Sequence, residues 1–205
     1  MFASCADGRA AAGGSEVMRV DSGAEAYRRF LDGDNDALVE IIRDYKDVLI
    51  RFLLMDVRDL TVAEELMEDV FVRLYVKKPR FSGKSQFKTW LLGIARNVAR
   101  EHRCKTAKAA HAPLEDGLLV ADSAGRPEAV LFEKERQKTL FQLLDRLNPD
   151  RRQVLYLTYF EGLSNKETAE IMRRSVGSVE VLLHRARAAL KEELMKEGLQ
   201  DENLY

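Results

Sequence analysis

The chain has little cysteine, proline and glycine, and these shortages exclude several classes of protein. Two cysteines in 205 residues exclude a disulfide-stapled scaffold and are typical of a reducing compartment, so we expect a cytoplasmic protein. Four prolines and 12 glycines leave few tight turns, and a 46% apolar fraction excludes global disorder. No apolar run approaches the roughly 18 residues of a membrane span, so direct membrane insertion is not expected.

Signatures of catalysis are also lacking. The sequence has no glycine-rich phosphate loop and no carboxylate pair within a recognisable motif. His102, Cys104 and His111 form the one cluster that resembles metal ligands, but three ligands without a fourth do not favour zinc. The sequence therefore predicts no enzyme activity, no metal and no cofactor.

The first 23 residues show no structural period. They are mostly small and polar and lack the apolar block of a signal peptide, so residues 1–23 are interpreted as a disordered leader. Met18 is an alternative start, because periodic sequence begins only after it.

Charge is abundant but segregated along the chain. The net charge of -1 by itself argues against nucleic-acid binding. Residues 59–69, however, carry five acids and no base, whereas residues 77–108 carry ten bases and one acid. Residues 115–128 are acidic again, and residues 151–191 carry eight bases and four acids. Two basic blocks divided by an acidic connector indicate a polyanion-binding protein, although a basic block is often only a solvated helix face.

Apolar residues recur at steps of three and four along most of the remaining chain, which is the period of amphipathic helices. The pattern predicts an all-α fold of two small helical domains, residues 24–108 and 129–198, followed by a tail at 199–205. Residues 109–128 contain two prolines and two glycines without a clear period, which indicates a flexible linker between the domains.

Several short signals predict where individual helices begin. Thr61 followed by Glu64 is typical of a capping box, and the apolar stripe of that helix extends to Tyr75. Asn148 before Pro149 predicts a second helix start. Further starts are expected at Ser85 or Gln86, at Ser164 and near Ser175.

The last two predicted helices have the proportions of a helix-turn-helix. The first is about two turns long, and Ala169 is small where the two backbones must approach. Such a pair presents the second helix to the major groove of DNA, while a helical hairpin without a DNA role is the alternative. Its exposed candidates are Ser178, Glu180, Val181, His184, Arg185 and Arg187, with Arg174 flanking them.

The first basic block and the acidic segment before it suggest two further surfaces. Phe81, Phe87 and Trp90 alternate with lysines and arginines, as in sites where rings stack on unpaired bases; the alternative is that Phe87 and Trp90 are core residues. The acids of the helix after Thr61 lie on one side at i, i+4 spacing. That side either docks onto a basic protein or only solubilises the helix.

Four motifs in this order resemble the extracytoplasmic-function (ECF) sigma factors of bacterial RNA polymerase. Residues 61–75 resemble their region 2.2, and residues 87–97 resemble regions 2.3 and 2.4. Residues 147–164 resemble region 4.1, and residues 175–187 contain motifs of region 4.2. The resemblance spans roughly residues 24 to 197 in the correct order.

The resemblance implies a non-catalytic polymerase subunit that binds core RNA polymerase and promoter DNA and is restrained by an anti-sigma factor. The clamp helices of the largest polymerase subunit would meet Glu64, Glu65, Leu66, Glu68, Asp69 and Phe71. The -10 element would meet Lys84, Ser85, Lys88, Trp90, Arg96, Asn97 and Arg100. The -35 element would meet the helix-turn-helix candidates named above.

The predicted recognition helix departs from the family pattern in one place. Many relatives carry a basic and a small polar residue where this chain has Glu180, Val181 and Leu182. An acid facing a DNA groove repels phosphate. More of the -35 affinity is therefore expected to come from Arg185, Arg187 and the flanking Arg173 and Arg174. A conventional helix-turn-helix regulator that does not bind core polymerase is the alternative function.

Overall fold

The computed structural model describes residues 21–110 and 142–197, and every regular element in those two stretches is a helix. The predicted all-α fold is confirmed. Residues 1–20, including the alternative start at Met18, most of the predicted linker and the C-terminal tail lie outside the described residues. None of the described helices is long and apolar enough to cross a bilayer.

Four helices form an N-terminal unit: α1 Ser22–Leu31, α2 Asn35–Val57, α3 Leu60–Lys77 and α4 Phe87–Ala110. Asp21, Asp34 and Asp59 cap the first three by accepting hydrogen bonds from backbone N–H groups of the first turn. The predicted cap at Thr61 was therefore wrong. Asp59 begins α3 two residues earlier, and its carboxylate also suits the positive end of the helix dipole.

The N-terminal unit encloses an aromatic and aliphatic core. Phe30, Phe52 and Phe87 are fully buried, and the Phe87 backbone N–H donates to Asp21 Oδ2 at 2.6 Å, which ties the start of α4 to the start of α1. Gly23 permits this close approach, because a β-carbon there would overlap the Phe87 ring and the Tyr45 hydroxyl. The start of α4 is thus fixed by tertiary contacts as well as by its own sequence.

The remaining described helices form a C-terminal unit. Residues 142–145 are helical, and α5 Pro149–Leu155 continues into one π-helical turn, Tyr156–Phe160. After Gly162 come α6 Asn165–Met172 and α7 Val176–Lys196. The three predicted caps of this unit are confirmed: Asn148, Ser164 with its capping box, and Ser175.

The two units pack against each other, which the sequence did not predict. Helix α2 contacts α5, and α4 contacts α6. The Tyr156 ring lies 6.5 Å from the Phe52 ring, and the Arg152 guanidinium, with 1% of the residue exposed, donates through Nε to the Met55 carbonyl. This interface decides which predicted site residues face solvent.

Candidate nucleic-acid interface

The acidic side of α3 is exposed as the sequence predicts. Glu64, Glu65, Glu68 and Asp69, here named the acidic stripe, all face solvent. Leu66 and Phe71, which were predicted to join them, are buried in the core with 5% and 7% exposure. These two residues therefore fix the position of α3 and offer little surface to a partner.

An apolar extension of the acidic stripe was missed. Val72, Tyr75 and Val76 are 56%, 56% and 70% exposed on the C-terminal half of α3. The expectation that Tyr75 belongs to the core stripe was wrong, although its ring still touches Phe30 at a centroid distance of 6.1 Å. Val72 follows Glu68 by four residues, and Tyr75 and Val76 follow Val72 by three and four, which is the signal that places them on the acidic side.

The aromatic residues of the first basic block belong mainly to the core. Phe87 is fully buried, and the half-buried Trp90 lies 5.1 to 5.4 Å from the rings of Tyr27, Phe81 and Phe87. Tilted rings at these distances make favourable aromatic contacts. In this arrangement Phe87 is a core residue and cannot stack on an unpaired base. Trp90 has only part of its ring exposed for such stacking.

Three polar residues at the start of the first basic block have different surroundings. Lys84 is exposed, whereas the Ser85 hydroxyl donates to Glu170 Oε1 at 2.7 Å. Lys88 forms an ion pair with Glu161, whose side chain is 6% exposed. Ser85 and Lys88 are therefore both bound to acids of the C-terminal unit.

The middle of α4 also meets the C-terminal unit. Arg96 donates to Gln153 and, at 3.2 Å, to Asp150, while Asn97 and Arg100 line a cavity nearby. Burial lowers the pKa of Arg96 despite the attraction of Asp150. Glu101, the one acid among residues 77–108, forms a bidentate pair with Arg73 on α3.

The predicted helix-turn-helix is present as α6, a turn and α7. Its shared core contains Ala169, Ile171, Met172, Val179 and Leu183, which are all at most 5% exposed. Six of the seven predicted -35 residues extend along α7 and are exposed. They are Ser178, Glu180, Val181, His184, Arg185 and Arg187.

Two of the predicted -35 arginines already have partners within the chain. Arg174, before α7, is exposed and donates to Asp150, the same carboxylate that accepts from Arg96. Arg187 Nε donates to the Tyr159 hydroxyl at 2.6 Å. His184 and Arg185 form no such contact among the described residues, so they remain open to an incoming ligand.

Metal ligation has no support in the described parts of the chain. No three His, Cys, Asp or Glu side chains are grouped there to hold an ion. Cys104 is an exposed free thiol, and His111 lies outside the described residues.

Comparison with protein families finds two matches that follow the two helical units. Residues 41–109 match the family described as "Sigma-70 region 2", and residues 137–190 match "Sigma-70, region 4". These matches, together with the all-α fold and the helix-turn-helix, define the class of protein as a sigma-70-type subunit of RNA polymerase.

Individual relatives narrow the class. The ECF RNA polymerase sigma factor SigX of Bacillus subtilis is 31% identical over 166 residues, 78% of this chain and 86% of SigX. SigW of the same organism is 31% identical over 171 residues, which cover 79% of this chain and 91% of SigW. The chain therefore belongs to the ECF RNA polymerase sigma factors, and it directs promoter-specific transcription initiation. The alternative of a regulator that does not act as a sigma subunit is not favoured.

Solved structures share the fold. The sigma factor RpoE of Bartonella quintana, solved in complex with the anti-sigma factor NepR, matches with a TM-score of 0.58 at 21% identity, covering 76% of this chain and 95% of RpoE. CnrH, solved with the cytosolic domain of CnrY, matches with a TM-score of 0.57 at 21% identity, covering 85% of this chain and 96% of CnrH.

Proposed function

We propose that the acidic stripe of α3 is the surface that binds the clamp helices of the largest subunit of core RNA polymerase. The support is its combination of exposure and charge. Its four carboxylates face solvent and form no ion pair within the described residues. Arg73 attracts Asp69, but its guanidinium is already paired with Glu101. An uncompensated acidic surface attracts a basic partner and directs its approach. Val72, Tyr75 and Val76 extend this surface with apolar area that a bound helix would cover.

In this proposal the two units bind different elements of the promoter. Residues of the N-terminal unit, proposed to span residues 24–108, meet the -10 element. They are Lys84, Ser85, Lys88, Trp90, Arg96, Asn97 and Arg100. The C-terminal unit, proposed to span residues 129–198, reads the -35 element through α7, and the predicted linker at residues 109–128 joins them. The exposed row of polar and basic side chains on α7 is the observation that carries this assignment.

Promoter binding requires the two units to separate. Ser85, Lys88 and Arg96 contact Glu170, Glu161 and Asp150 of the C-terminal unit. A strand of DNA cannot take these side chains as partners while the acids hold them. We therefore infer that the free chain binds the -10 element weakly, and that binding of core polymerase favours the open arrangement.

The setting of this activity follows from the same reasoning. The polymerase catalyses RNA synthesis, so the chain itself is not an enzyme. It acts in the cytoplasm. RpoE and CnrH were each solved with a bound partner, which for RpoE is an anti-sigma factor. We propose that an anti-sigma factor likewise binds this chain.

Transcription in vitro with purified core polymerase tests the core-binding surface. Changing both Glu65 and Glu68 to lysine should abolish co-purification with core and promoter-dependent transcripts, because the attraction becomes repulsion. Asp47→Lys is the matched control, since Asp47 is an exposed acid on α2 outside the stripe. Retained core binding by the double variant would remove the assignment.

Binding of a -35 duplex to the holoenzyme tests α7 separately. Arg185→Ala should weaken binding about 10-fold, the loss of one charged contact to DNA. Arg28→Ala, an exposed arginine on α1, is the control and should bind like the wild type. Equal affinities for all three proteins would contradict the role of Arg185.

A further inference from the structure

A basic cavity lies where the two units meet, between α4 and the turn that joins α6 to α7. Its volume is about 230 Å³. Four of the side chains around it are arginines, two from each side of the interface. The lining residues are Arg96, Asn97, Arg100, Met172, Arg173 and Arg174. We name this cavity the interunit pocket.

The interunit pocket has an excess of positive charge. Arg96 and Arg174 share a single carboxylate, that of Asp150. Arg100 and Arg173 have no acidic partner among the described residues. Four arginines therefore line the pocket, and among the described residues Asp150 is the one acid that pairs with any of them, although Asp56 also attracts Arg96.

The geometry of the pocket suits a phosphate compound. Guanidinium groups are planar forks whose N–H donors match phosphate oxygens in pairs, and Asn97 adds an amide donor. Arg173 is held at the rim by a left-handed backbone, φ 50°, which caps α6. A volume of about 230 Å³ has room for a small anion, but a DNA duplex cannot enter between two packed units.

We propose that the interunit pocket binds a small polyphosphate anion, either an inorganic one or the phosphate chain of a nucleotide, and that the anion bridges the two units. This goes beyond the proposed sigma activity, because the free chain binds the anion without polymerase or promoter. A ligand that binds only the closed arrangement stabilises it by mass action. The anion also competes with promoter DNA, since it occupies Arg96, Arg100 and Arg174.

Titration calorimetry of the full chain with sodium tripolyphosphate, at constant ionic strength, tests the pocket. We expect saturable binding of one anion per chain. Arg173→Gly should weaken it at least 10-fold, because glycine accepts the left-handed backbone and only the cation is lost. Lys78→Gly is the matched control: it removes a cation from another left-handed helix cap, φ 41°, outside the pocket. Several equivalent sites, or equal weakening by both variants, would overturn the proposal.

A second variant and a second ligand separate this site from general affinity for nucleic acid. Arg100→Gln should weaken tripolyphosphate binding to a similar degree while helix content, measured by circular dichroism, stays unchanged. A nucleoside triphosphate should displace tripolyphosphate, which shows that the same pocket takes the phosphate chain of a nucleotide. If a short single-stranded oligonucleotide binds as tightly and with the same dependence on Arg173, the pocket is only part of a DNA surface and the assignment fails.

Small-angle scattering tests the bridging. Tripolyphosphate should lower the radius of gyration of the wild type or, where the free chain is already compact, reduce the increase of that radius in 1 M urea. It should have neither effect on Arg173→Gly. Binding with the same urea response in both proteins would overturn the bridging.

Discussion

Removing the guanidinium of Arg152 should open the interface between the two units. Arg152 lies on α5 of the C-terminal unit, and Nε donates to the Met55 carbonyl of α2 in the N-terminal unit. Nη1 lies 3.2 Å from Asp145 Oδ1 within its own unit. Burial lowers the pKa of Arg152 to about 10, so the group remains charged at neutral pH.

The magnitude follows from these contacts. A hydrogen bond from a charged donor contributes about 1.5–3 kcal/mol. The ion pair with Asp145 adds little, because the Asp145 side chain is 53% exposed and solvent screens it. The desolvation cost of Arg152 is relieved when it is removed, which offsets part of the loss. We expect Arg152→Ala to weaken closure by about 2 kcal/mol, or roughly 30-fold in the equilibrium between closed and open chains.

Energy transfer between labels on the two units measures this equilibrium. One label is attached to Cys104 on α4 and the other to a cysteine replacing Glu192 on α7, with Cys5 changed to serine. Arg152→Ala should lower the transfer efficiency, while Arg151→Ala, from the same helix but half-buried and outside the interunit contacts described above, should not. An unchanged efficiency in Arg152→Ala would refute the reasoning that this side chain holds the units together.

Three further predictions concern stability. Burial raises the pKa of Asp56, although Arg103 lies 2.9 Å from its carboxylate and opposes the shift. The stability that the protonated Asp56 contributes is therefore fully present below the ordinary pKa of 3.8 and is lost as pH rises through the raised pKa. Asp56→Asn should remove this part of the pH dependence of the urea midpoint, and a wild-type slope would contradict it. Ser164→Ala should cost about 1 kcal/mol of unfolding free energy through the lost capping box, and a cost near zero in urea titration would argue against it. Gly23→Ala should lower thermal stability by about 1–3 kcal/mol because its methyl group overlaps Phe87, whereas Gly93→Ala, with nothing nearby, should not destabilise.

Local sequence signals predicted the start of a helix correctly where a single capping residue determines it. Ser164 with Glu167 forms the capping box, and Asn148 accepts from the Arg151 N–H at 2.9 Å. Thr61 failed because Asp59 offers a better cap for the same helix. A local signal identifies a possible helix start, but it does not decide between two neighbouring caps.

The site could be predicted only in part. Exposure of the acidic stripe followed from helical period, because an apolar face must turn inward and leave the opposite face to solvent. The exposure of Tyr75 did not follow, since the edge of a core depends on how neighbouring helices cover it. The partners of Lys88 and Ser85 lie 73 and 85 residues away and have no local signal.

The sequence by itself determined the all-α fold, the helix-turn-helix, the acidic stripe and the resemblance to ECF sigma factors, because all of these depend on residues a few positions apart. Only the tertiary structure decided that the two basic blocks meet at one interface. There Asp150 is shared by Arg96 and Arg174, and Arg152 is buried against Met55. Such contacts arise from the packing of one unit on the other, which balances burial and charge over distances that no helical period encodes.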